Sequence, residues 1–167
     1  MFVPFESLPN NARVWVYQSN REFTESESKM IQGKLEIFVN KWQRHGKDLS
    51  ASYAIKYNQF IVLAVDENVI EVSGCSIDSS VRTIKLIEEE FNLDLMNKLN
   101  VAFRIGENIN TVFTIDFQNY LKAGKINSET IVFNNMVQSK EEFLLNWEVP
   151  IHKSWHSRFL NLIKSKL

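Results

Sequence analysis

Apolar residues along this chain change period several times, and each change marks an element. At 14–17 four β-branched and aromatic residues, Val14 to Tyr17, read as a strand. Thr24 followed three residues later by Glu27 is a capping box, in which hydroxyl and carboxylate each satisfy one orphan amide. The helix it opens carries Ile31, Leu35, Phe38, Trp42 and His45 at steps of four and three, and Gly46 reads as its stop. Tyr53, Ile55 and Tyr57 alternate as a half-buried strand that turns at Asn58 and Gln59. Residues 60–65 are apolar on both faces, as a central strand requires. A second helix aligns Ile77, Val81, Ile84, Ile87 and Phe91, with Glu88, Glu89 and Glu90 as a solvated turn. Val101, Phe103 and Ile105 then pair with 111–115 as a hairpin.

The order β-α-β-β-α-β-β predicts an α+β fold, a ferredoxin-like two-layer sandwich with both helices on one face of an antiparallel sheet. Beyond it, 116–124 reads as a short helix ending on Gly124 and 130–133 as a strand. Ser139 and Glu142 form a second capping box ahead of Phe143, Leu144 and Trp147, and Pro150 ends that helix. From Ser154 on, Trp155, Phe159, Leu162 and Ile163 share one helical side. No Pro/Gly/Ser-rich linker interrupts the chain. The expectation is therefore one domain over 1–167, with an α/β core at 13–115 and a mainly helical extension at 116–167.

Composition narrows the function classes. Among 167 residues, 19 Lys plus Arg almost cancel 20 Asp plus Glu, which argues against nucleic-acid binding. One cysteine excludes an intrachain disulfide. The first ten residues have neither a basic region nor a long apolar one, and no apolar run approaches a membrane span, so a cytoplasmic protein is expected.

Candidate chemistry concentrates at 72–80, where Cys75 sits among Ser73, Gly74, Ser76, Asp78, Ser79 and Ser80 at a helix start. A helix N-terminus favours a thiolate or a bound anion. On that reading Cys75 is a nucleophile or redox thiol, His45 or His156 the base, and Asp78 an orienting group. Ser76, Asp78, Arg82 and Arg21 are then the anion ligands, with Gln18 and the aromatic end of the first strand beside them. The competing reading makes Cys75 a buried filler, with Ser73, Ser76 or Asp78 simply capping the helix. A phosphatase-type loop needs five residues between Cys and Arg; six separate Cys75 from Arg82. His152 and His156 are four apart but lack further ligands for a metal. No cofactor or metal is expected. The basic tail, with Lys153, Arg158, Lys164 and Lys166, either covers the domain's own sheet or meets a partner. A protein partner, a second copy, or a small anionic ligand remain open.

The stretches 13–21, 73–80 and 130–135 and the pair Trp155–His156 together resemble a family of small bacterial proteins, mostly from the Bacteroidetes, labelled "ABC transporter ATPase". The resemblance runs nearly the full length. The label implies a nucleotide site, yet the Gly-Lys pairs at 33–34, 46–47 and 124–125 lack both the upstream glycine and the following Ser or Thr of a Walker A motif, and no Leu-Ser-Gly-Gly-Gln signature occurs. An ABC-type ATPase is excluded. The pattern over 111–147 (strand, helix, Gly124-Lys125-Ile126, then Thr130 to Phe133) is similar to GYF-like modules, which implies binding of proline-rich peptides, although the Gly-Tyr-Phe triplet is absent.

Overall fold

The computed structural model describes residues 1–164, which form two compact units. The first is Met1–Met96 with Gln138–Glu141; the second is Asn97–Val137 with the chain from Glu142 onward. The division falls before the 100–113 hairpin, which the sequence pattern had grouped with the first helices. No helix among the described residues is long and apolar enough to cross a membrane.

The first unit is built on β1 (Arg13–Gln18), β4 (Ala51–Lys56) and β5 (Phe60–Val65), with β5 in the middle of an antiparallel β1-β5-β4 sheet. All six β5 residues are buried, as the two-sided apolar run requires. Two helices supply the core. In α1 (Glu25–Lys41) both halves of the capping box form, Thr24 Oγ1 accepting from the Glu27 amide and Glu27 accepting from the Thr24 amide. Helix α2 (Gly74–Phe91) is capped by Ser73, and it ends on Asn92 in the left-handed region. Ile31, Leu35 and Val39 of α1 and Ile84 and Ile87 of α2 pack with Ile61, Leu63 and Val65.

Helix α1 stops four residues short of the expected end. The chain leaves it at Trp42, whose indole is fully buried against Phe38 and Trp15 and donates to the Ser76 carbonyl at 2.8 Å. It then forms a small hairpin of β2 (Gln43–Arg44) and β3 (Lys47–Asp48), with His45 (φ 49°) and Gly46 (φ 78°) as the two turn residues. His45 thus lies on a turn and is exposed, not on the helix's apolar stripe. Between β4 and β5 the positive-φ pair is Tyr57 and Asn58, one residue earlier than expected.

The second unit contains β6 (Asn100–Ile105), β7 (Asn108–Phe113), α3 (Thr114–Lys122), β8 (Ile131–Phe133), most of α4 (Lys140–Asn146), β9 (Glu148–Pro150) and α5 (Ser157–Lys164). Its antiparallel sheet has the order β7-β6-β8-β9. Val101, Phe103 and Val132 pack with Phe117, Leu121, Ile151 and Phe159 into its core. Phe117 meets Phe103 and Phe159 at 5.6 Å each, close to edge-to-face. On β8's other side, Phe133 contacts Trp147, which in turn stacks near Phe143 and donates to Asn135.

This corrects the topology. The α+β class holds, but the ferredoxin-like sandwich would put β6 and β7 into the β1-β5-β4 sheet. Instead β6 takes β8 as its second neighbour, a strand from the expected extension, so the strands divide between two main sheets. Pro150 does not break a helix either: α4 has already ended, and Pro150 lies in edge strand β9, where its missing amide is tolerated.

Candidate functional site

The turn at 73–80 is bound into the scaffold. Ser73 Oγ accepts the Ser76 amide, and Ser73's carbonyl accepts the Ile77 amide. Ser76, 1% exposed, donates its hydroxyl to the Gln43 carbonyl at 2.9 Å, while its own carbonyl takes the Trp42 indole N–H. One serine therefore joins the start of α2 to the end of α1. Every polar group of Ser76 that could hold an anion has a protein partner. Arg44 adds a bond to the Glu71 carbonyl on the same corner.

Cys75 itself is exposed, so it is neither a buried filler nor a thiol enclosed in a cleft. Asp78 and Arg82 are exposed as well. Among the described residues no side-chain hydrogen bond joins Cys75 to a histidine.

Arg21 belongs elsewhere. Its guanidinium grips Glu27 through two bonds of 2.9 and 2.8 Å, and also donates to the carbonyls of Glu22 and Phe91. Phe91 ends α2, so at 1.5 Å per residue Arg21 lies about 24 Å from Cys75 along that helix. It cannot complete an anion site with Ser76, Asp78 and Arg82. It acts instead as a cation at a helix C-terminus. The pairing with Arg21, helped by the Thr24 amide, pulls the Glu27 carboxyl down to about 2.

His156 is buried in the second unit. Its Nδ1 lies 2.7 Å from Ser154 Oγ, Trp155 stacks on the ring at 3.9 Å, and Phe117 stands 5.9 Å away. Burial, reinforced by the Arg158 charge, lowers its pKa to about 3. A neutral, enclosed ring is a poor general base for an exposed thiol. His152 is exposed and 3.3 Å from Glu129, so the two histidines do not share a helical face. Among the described residues no group of three or more His, Cys, Asp or Glu could hold a metal ion.

The tail packs on its own unit. Phe159 is buried, and Trp155, Leu160 and Ile163 lean on the same core; Leu162, expected on that side, is half exposed. Lys166 lies outside the described residues.

Sequence reasoning missed the apolar corner of the second unit. The Leu99 carbonyl accepts both the Thr114 amide (2.9 Å) and the Thr114 hydroxyl (3.0 Å), and Asn100 is the register partner of Phe113. These contacts bring the backbones of Leu99, Phe113 and Thr114 together at one corner, and Leu99, Phe113 and Ile115 remain 61%, 52% and 61% exposed. Leu99 and Ile115 stand at element boundaries, where periodicity gives no hint of which side they take. No protein-family model, no curated protein and no solved structure matches the chain.

Proposed function

We propose that the protein is a binding module and that its second unit takes an extended, proline-containing peptide at the Leu99–Phe113–Ile115 corner. The observation that carries this reading is the exposure of Leu99, Phe113 and Ile115, three large apolar residues whose backbones lie close around one hydrogen-bonded corner, since exposed apolar groups cost free energy in water unless a ligand covers them. A pre-extended proline-rich segment loses little entropy on docking to an apolar surface. The similarity of 111–147 to GYF-like modules agrees with this ligand class.

The test is an amide NMR titration with a proline-rich peptide. Shifts centred on 99–100 and 112–116 in the native protein, and their loss in Phe113→Asp, are expected. Saturating peptide with no movement at this corner refutes the reading.

The second reading is an enzyme in which Cys75 reacts as a thiolate at the start of α2. The exposure of the thiol supports it; the engagement of Ser76 and the enclosure of His156 weigh against it. The label of a bacterial ABC-type ATPase receives no support from the residues.

A further inference from the structure

Unpaired strand edges invite other strands, and proteins protect them with prolines, charges, bulges, short length or covering segments. Here three of the four edges of the two main sheets carry such protection. In the first unit β4 is bridged at Ala51 by Phe2, with the Val3 amide donating to the Ala51 carbonyl. Strand β1 is bridged at Arg13 by Ser139, and the Val14 amide donates to the Gln138 carbonyl. Lys140, next in that returning segment, anchors it by donating Nζ to the carbonyls of Glu6 and Leu8. In the second unit β9 is three residues long and ends in Pro150.

β7 is different. It runs six residues in unbroken register with β6, its one strand neighbour among the described residues. Its sequence, Asn108, Ile109, Asn110, Thr111, Val112, Phe113, contains no charge, proline or glycine.

The geometry points to a second copy of this chain as the partner of that edge: two β7 strands pair antiparallel and join two four-stranded sheets into one of eight. The strand is self-complementary. Alternation puts Ile109, Thr111 and Phe113 on one side of the sheet. A two-fold axis at position 111 then sets Ile109 of each copy opposite Phe113 of the other, an aromatic–β-branched pair of the kind that stabilises cross-strand contacts. The neighbouring positions, Asn110 and Val112, meet across the axis on the other side. A contact of this length buries less than the roughly 1,200 Å² of a standard interface, so the dimer is weak and dissociates on dilution.

The dimer and the peptide reading share Phe113, so the two contacts compete for it, but their failures are distinguishable: a chain that stays monomeric leaves the corner open to a ligand, and a failed peptide titration at low protein concentration leaves the dimer untouched. Sedimentation velocity from about 5 µM to about 1 mM, a range bracketing weak association, tests it on the full chain. The expected result is a weight-average mass rising from one chain toward two, with the rise abolished in Ile109→Lys, which places a guarding charge on the edge. A single-chain mass throughout overturns the proposal, and so does a dimer that Ile109→Lys leaves intact. Should that variant fail to fold, amide exchange of the native chain decides. Protection that increases with concentration in β7 supports the pairing, and protection independent of concentration there refutes it.

Discussion

Lowering the pH from 7 towards 3 should destabilise the second unit through His156. Its ring is 2% exposed and has Ser154 Oγ as its polar partner, with Trp155 and Phe117 around it. The native pKa is about 3, against 6.5 for an unperturbed histidine. The sign follows from proton counts. Above pH 6.5 both the folded and unfolded states hold a neutral ring, and the full stability is present. Between 6.5 and 3 the unfolded chain binds a proton that the native state refuses, so stability falls by about 1.4 kcal/mol per pH unit. Below 3 both states are protonated and the loss stops, after a total on the order of 5 kcal/mol. That is a large share of the roughly 5–15 kcal/mol typical of a domain. The assay is urea unfolding at half-unit pH steps, comparing the native chain with His156→Asn, whose amide can still reach Ser154. The variant is less stable at pH 7 because it leaves a void, but its slope between pH 6.5 and 4.5 is shallower by about one proton's worth. Equal slopes in the two proteins would refute the assignment of His156 as a buried neutral ring.

Three further outcomes follow from the geometry. Trp42→Phe removes the indole donor to the Ser76 carbonyl, which keeps only its bond within α2, so unfolding free energy should fall by about 1 kcal/mol in a denaturant titration; an unchanged midpoint contradicts the joint between α1 and α2. Ser52 Oγ is a buried side-chain oxygen without a hydrogen-bond partner, so Ser52→Ala should leave the thermal midpoint unchanged or raised, and a fall of several degrees argues against it. Arg21→Ala removes a clamp on Glu27 and the Phe91 carbonyl, and should cost about 1 kcal/mol, an effect that salt reduces in the native chain; no change in calorimetry would mean that the pair is only decorative.

Much of the local structure was legible. The capping box at Thr24 and Glu27, the two-sided apolar run of β5 and the Gly124 stop each depend on neighbours a few residues apart, and each appears. The hairpin of Val101, Phe103 and Ile105 forms too, but its second strand is 108–113 instead of 111–115, because Thr114 and Ile115 already start α3. The end of α1 was not legible, because it is decided by Trp42 meeting Ser76, 34 positions away. With the helix ended early, His45 and Gly46 became turn residues, and a candidate base moved from an apolar stripe to solvent. The anion cluster failed for the same kind of reason. Ser76 and Arg21 look like free ligands in a string of letters, but one is bonded on three sides and the other holds the far end of α2. Cys75 remains where the pattern put it, in the first turn of a helix, and only burial could show that the thiol faces water.

By itself the sequence determined the α+β class, most strand and helix positions, the capping box at Thr24, and the absence of a Walker motif, because these rest on periodicity and short-range hydrogen bonds. The tertiary structure alone decided which strands are neighbours, how the chain divides into two units, which candidate groups already have partners, and which apolar residues stay in water. Those depend on contacts between distant positions, and no local pattern encodes them.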